Sequence, residues 1–248
     1  MRFKKARRFD ALRKRQHPFL RRLRKLFVFV LVVFVIYAAF TSFLIDSFLV
    51  ESVSMTPGFM GGDRLLVAPL WYGPRIPFTE KKLPGIFSPR RGDVVVLSPP
   101  YAGDASLPEK LLRPVGEFFT GRTKNISFAE RRAWENTRVL RRIIALPGDA
   151  VRIRGGEAYV RPQGTPDFVS EFSLSLSTYE ITRETLPAGW TEDSPLGGFD
   201  SEVLLSAGEY FVLADNRGGS LDSRLWGPVG EDKILTKALL RYWPLGSR

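Results

Sequence analysis

The longest apolar run in the chain covers residues 26–45, LFVFVLVVFVIYAAFTSFLI, twenty residues without a charge between Lys25 and Asp46. No polar face interrupts it, so the pattern does not fit a core helix of a water-soluble domain. A helix of that length rises roughly 30 Å, the thickness of a bilayer's hydrocarbon core. Beyond residue 46 the pattern changes to short Val, Leu and Ile runs at 64–67, 93–97, 139–146, 150–153, 158–161 and 210–213. Gly, Pro and Asp signals at 57–58, 61–62, 91–93, 147–149 and 155–156 separate them, which is the rhythm of short strands joined by turns. No sustained 3.6-residue apolar period follows the first run, apart from a short helix expected near 127–136. The expected fold class is mainly β, a β-sandwich or partly open barrel. Residues 99–137 and 162–205 fit the strand rhythm poorly and are expected to be insertions or a cap. There is no internal repeat.

Charge sharpens this division. The chain carries 37 Lys+Arg against 26 Asp+Glu, a net charge of +11. Residues 1–25 hold 12 basic residues and one acid, Asp10, so the tail accounts for all of it and the remainder is neutral. A basic flank before the apolar run, with Asp46 and Glu51 after it, predicts a cytoplasmic tail and an extracytoplasmic body. The expected organisation is a tail at 1–25, a transmembrane helix at 26–45 and a β domain at 46–248. A cleaved secretory leader has an apolar core of about 7–15 residues and a small-residue cleavage site; this run is longer and Phe-rich. Orientation and attraction to anionic headgroups explain the tail more simply than nucleic-acid binding does.

The absence of Cys excludes disulfides, thiolate nucleophiles and Cys-built zinc sites. The single histidine, His17, lies in the tail, which removes multi-histidine metal sites and leaves little room for a Ser-His-Asp triad. No feature asks for a metal, nucleotide or flavin, and no cofactor is expected. Gly155-Gly156 is expected to be a hairpin turn, because no helix follows it to make a phosphate loop.

Four segments carry the chemistry: SVSMTP at 52–57, GDRLLV at 62–67, RIIALPGD at 142–149 and ADNRGGSLDSRLWG at 214–227. In this order, behind an N-terminal anchor, they resemble the type I signal peptidases of bacteria. WYGPRIP at 71–77 and RGDVVV at 91–96 match as well. The resemblance covers most of 47–235 and leaves the two insertions unmatched. It implies a membrane-anchored serine endopeptidase that removes signal peptides from exported preproteins, in a bacterial cytoplasmic membrane. Ser54 matches the nucleophile, and Ser52 the serine whose hydroxyl joins the backbone N–H of Ser54 in an oxyanion hole. Ser220 matches a serine that orients the base, and Asp222, Arg224 and Arg142 match groups that brace the site. A substrate is expected to add as an extended strand, with Met55, Ile143 and Ile144 as candidate lining residues.

One position departs from the family pattern. The family's general base is an uncharged lysine directly before Arg142, and here that place is Arg141. Desolvation brings a lysine down several units, but a guanidinium stays protonated at any ordinary pH. No Lys occurs between Lys124 and Lys233, so shifting the register finds no replacement. Three readings stay open. The first is a working peptidase whose base is a distant lysine (Lys124, Lys233 or Lys237) or an activated water. The second is an inactive relative that binds signal peptides or an active paralogue. The third is a tethered β domain with no peptide-binding role, which the retained Ser52, Ser54 and Ser220 disfavour. The lipid bilayer is a partner in every case.

Overall fold

The computed structural model describes residues 18–76, 81–102, 107–120, 138–183 and 199–245. It contains two compact units, 1–40 and 41–248. Helix α1 starts at Pro18, in the first of these, and runs to Phe43. It takes in Arg21, Arg22, Arg24 and Lys25 as well as the apolar run. Those residues and the leucines among them are good helix formers, and proline at the first helical position costs no internal hydrogen bond. Within Phe19–Phe43 an 18-residue window has a mean hydropathy of 2.7 and contains no buried residue, so by length and composition the helix can cross a bilayer. The helix therefore begins eight residues before the apolar run does.

The second unit is mainly β, as the strand rhythm predicts. Among the described residues its principal sheet has seven antiparallel strands: β1 (Asp46–Leu49), β2 (Arg64–Ala68), β3 (Val94–Leu97), β4 (Val139–Ala145), β9 (Glu209–Leu213), β10 (Val229–Gly230) and β11 (Ile234–Trp243). Their order is β1-β2-β11-β3-β4-β9-β10, so the sheet is open rather than closed into a barrel. Between the adjacent strands β4 and β9 the chain leaves to build a second sheet, β7-β6-β5-β8, from β5 (Ala150–Arg154), β6 (Glu157–Arg161), β7 (Val169–Ser170) and β8 (Phe199–Leu204). Gly155 and Gly156, with φ of 54° and 76°, make the tight turn from β5 to β6. Such positive values at both central residues suit a two-residue hairpin, and glycine reaches them without strain.

Burial follows from strand alternation. Along β3, Val94 and Val96 face one apolar cluster with Met55, Leu65 and Val67, while Val95 and Leu97 face another with Tyr72, Ile143 and Ile234. A third cluster joins Ile144, Ala145, Phe211 and Leu213 of the large sheet to Val151, Ile153, Ala158 and Val160 of the small one. The two sheets thus pack through a shared core.

Two sequence expectations change. The stretch 162–205 is not simply a cap, because β7 and β8 belong to the second sheet and β8 pairs with β5. The stretch 99–137 contains helix α3 (Leu107–Thr120), between the short α2 (Pro69–Tyr72) and α4 (Glu171–Leu174). Its leucines and phenylalanines do recur at helical spacing, but Pro114 and Gly116 obscure the period. The helix expected near 127–136 lies outside the described residues, as does Lys124.

Candidate active site

Four turns of one design deliver the chain into the strands around the site. Gly62-Asp63, Gly92-Asp93 and Gly148-Asp149 lead into β2, β3 and β5, and Gly208-Glu209 begins β9. Each glycine has a positive φ, between 76° and 92°. In each turn the acid's N–H donates to the carbonyl three residues back, at 3.0–3.1 Å. Its carboxylate in return accepts that residue's N–H at 2.8–2.9 Å, as from Met60, Arg90, Leu146 and Ser206. The Asp149 carboxylate also takes two hydrogen bonds from Nη2 of Arg91, at 2.7 and 2.8 Å. This explains why xxGD recurs in the sequence.

Ser54 lies in the turn-rich link from β1 to β2. That link is closed at its base by hydrogen bonds from Val50 N–H to Asp63 and from Gly62 N–H to Val50, both 2.8 Å. Met55 is wholly buried beneath it, and Asn216 N–H donates to the Ser54 carbonyl at 3.0 Å. The serine is therefore held from both sides and is only 7% exposed. Its Oγ is 2.9 Å from Ser52 Oγ, and Ser52 itself is exposed. Among the described residues the Ser54 backbone N–H makes no hydrogen bond, so it is available as a donor.

Arg141 comes to Ser54 from β4, in register with Val95 of β3. It is 4% exposed, and its Nη1 donates to Ser54 Oγ at 2.9 Å and to the Leu140 carbonyl at 2.5 Å. Nε and Nη2 both donate to the Leu221 carbonyl, at 2.9 and 2.6 Å. The guanidinium carbon lies 5.7 Å from the centre of the Trp226 ring. Among the described residues no carboxylate pairs with it. Burial pulls its pKa below the ordinary arginine value, with Asp222 opposing.

Arg142, next along the strand, leaves on the other face. It grips Asp215 with Nε at 2.8 Å and Nη2 at 2.6 Å, donates to the Gly92 carbonyl, and lies 3.9 Å over the Tyr179 ring. Asp222 caps α5 (Ser223–Trp226) by accepting the Arg224 N–H, and holds the Arg224 side chain through Nε and Nη2 at 2.9 and 2.8 Å. Its other contact, from Ala214 N–H at 3.1 Å, ties the 214–224 loop to the end of β9. Asp222, Arg224 and Arg142 thus brace the loop that carries Asn216 and Leu221.

Ser220 is buried, but its hydroxyl bonds neither Ser54 nor Arg141; the neighbouring Leu221 carbonyl holds the arginine instead. Met55, Ile143 and Ile144 are each 2% exposed or less, and each packs in a different core cluster. Lys237 sits across Val95 from Arg141, yet it pairs with Asp93 at 2.5 Å and does not reach Ser54. Lys233 is half exposed beside Asp232. No described lysine bonds Ser54.

Sequence reasoning missed Glu171, Tyr179, Thr182 and Arg217. Arg217 pairs with Glu171 through Nη1 and Nη2, at 2.9 and 2.7 Å, with both residues buried. Tyr179 donates to the same carboxylate at 2.6 Å. Thr182 lies parallel to Asn216: its N–H reaches the Asp215 carbonyl, its carbonyl accepts Arg217 N–H, and its Oγ1 donates to the Thr56 carbonyl at 3.2 Å. Arg217 stands inside a recognised motif, but nothing in the sequence marks its partner.

Comparison with known proteins bears on the family of the chain. The chain is 27% identical over 265 residues to a signal peptidase I of Haemophilus influenzae, covering 91% of this chain and 72% of that protein. It is 29% identical over 224 residues to one from Pseudomonas aeruginosa, covering 82% and 67%. Over 107 residues, 42% of this chain and 24% of the other, it is 33% identical to a chloroplastic thylakoidal processing peptidase of Arabidopsis thaliana. A solved signal peptidase I from Enterococcus faecalis aligns with a TM-score of 0.32 at 21% identity, covering 62% of this chain and all of that one. The family model for signal peptidase, peptidase S26, matches residues 23–243. By that match, which takes in nearly the whole chain, the protein belongs to the signal peptidase family, peptidase S26.

Proposed function

We propose that the chain is a membrane-anchored serine endopeptidase of the type I signal peptidase kind, acting on preproteins at the extracytoplasmic face of a bacterial cytoplasmic membrane. Ser54 attacks the scissile carbonyl, and Ser52 Oγ with the Ser54 N–H receives the oxyanion. The observation that carries this reading is the fixed Ser52–Ser54 pair, 2.9 Å between hydroxyls, on a braced loop in a chain of this family. The general base is where the chain departs. Arg141 donates to Ser54 Oγ, so that oxygen is an acceptor there and its proton is directed elsewhere. A fixed cation favours the serine alkoxide once formed but cannot take the proton, which leaves to water or hydroxide. Cleavage therefore rises with pH.

The same contact supports a second reading, an inactive relative that binds signal peptides or an active paralogue. The full chain in detergent, given a preprotein with a small-x-small site, separates the two. On the first reading a shortened product forms in wild type and not in Ser54→Ala. Wild type that is inert while Arg141→Lys cuts would establish the second.

A further inference from the structure

Buried charge around the site is paired, with one exception. Arg142 is matched by Asp215, Arg217 by Glu171, Arg224 by Asp222, and Arg91 covers Asp149. Among the described residues, Arg141 alone of the buried arginines has only neutral acceptors: two carbonyls and the Ser54 hydroxyl. A buried cation without an anion is costly, and the imbalance favours any anion that can reach it. The approach is through Ser52, the exposed member of the hydroxyl pair. Ser54 Oγ touches the guanidinium and Ser52 Oγ lies 2.9 Å from Ser54 Oγ; with the Ser54 N–H, which has no partner among the described residues, these hydroxyls make a donor set suited to a carboxylate.

We propose that Arg141, Ser52 and Ser54 form a binding site for the free C-terminal carboxylate of a peptide. This rests on reading Ser54 as the place where a peptide's cut carbonyl lies, but not on whether Ser54 cuts. A peptide ending at that position presents a carboxylate where an intact substrate presents a neutral amide. A lysine that must be uncharged to act as base offers such an anion no cation. Arginine offers a permanent one. The substitution thus shifts preference from intact chain toward cleaved end: retained product if the protein turns over, a receptor for peptide termini if it does not.

The test uses the full chain in detergent and three fluorescent peptides of one small-x-small sequence. One ends in a free carboxylate, one in an amide, and one is amidated but carries Asp at the terminal position. Wild type is expected to bind the free acid about tenfold or more tightly than the amide, the order of one charge-assisted hydrogen bond. The ratio should stay constant from pH 6 to 9, where neither guanidinium nor terminal carboxylate titrates. Arg141→Gln should bring the preference close to one while retaining the wild-type circular dichroism. Arg141→Lys, a conservative control for folding, should show the preference at pH 6 and lose it as the pH rises. Equal affinity for acid and amide in wild type, no binding of either, or an unchanged ratio in Arg141→Gln would overturn the proposal. So would equal binding of the Asp peptide, since the site would then take any carboxylate. Failure to cleave leaves these outcomes untouched and bears only on the catalytic reading.

Discussion

An arginine at 141, where a lysine could lose its proton, limits which protonation states Ser54 can meet. A buried ammonium can lose its proton, because desolvation raises the cost of its charge and lowers its pKa from about 10.4 toward neutrality. The guanidinium of Arg141 is pulled down by the same burial, but it starts two or more units higher and bonds three acceptors. Arg141→Lys should therefore give the pH profile a plateau, where that of wild type keeps rising. As pH rises through the depressed lysine pKa the neutral amine accumulates, so cleavage climbs and then levels below pH 10. Rates of Ser54-dependent cleavage between pH 6 and 10 check this; a profile for Arg141→Lys parallel to wild type would reject the amine as base. At this scale the sequence was informative about identity and silent about contacts. Its motifs pointed to Ser52, Ser54 and Arg141, and the structure holds Ser52 Oγ and Arg141 Nη1 each 2.9 Å from Ser54 Oγ. It also paired Ser220 with the base, whereas Arg141 is long enough to reach the next carbonyl, that of Leu221.

Among elements, legibility follows how local the cause is. The Gly-acid turns were readable because glycine, carboxylate and accepting N–H lie within four residues. β3 was readable because it is buried on both faces and composed of Val and Leu. β11, the longest described strand, was not: ILTKALLRYW is rich in helix formers, and three register shifts break its alternation. Its identity as a strand comes from β2 and β3 on either side, a non-local cause. The segment 171–183 was equally opaque, since Glu171 and Arg217 are 46 residues apart in sequence. Their buried pair anchors that segment beside residues 215–217, which in turn hold the Ser54 carbonyl through Asn216. Removing one partner strands the other in the core at a cost of about 3–5 kcal/mol. Glu171→Ala should lower stability by that order in chemical denaturation of the full chain. Replacing both residues by apolar ones of similar size should recover most of the loss. A double variant no better than the single would show that the carboxylate's bonds to Tyr179 and the Ala158 N–H carry the effect.

For the whole molecule the decisive asymmetry is electrical. Every unit of the +11 net charge sits in residues 1–25, immediately before the apolar run and partly within α1. Lys and Arg resist transfer across a bilayer, so the tail should remain cytoplasmic while the neutral β unit crosses. Because the chain has no cysteine, single introduced thiols report this without background. In cells with a permeabilised outer layer, Ser206→Cys, on an exposed turn before β9, should react with a membrane-impermeant maleimide. Ala6→Cys in the tail should react only after the membrane is dissolved. Exchanging the tail's Arg and Lys for neutral residues should weaken that difference, and moving a comparable cluster to the far end of α1 should reverse it. The reverse labelling pattern in the unaltered chain would place Ser54 in the cytoplasm, where exported segments have not yet crossed, and would remove the basis for a signal-peptide substrate.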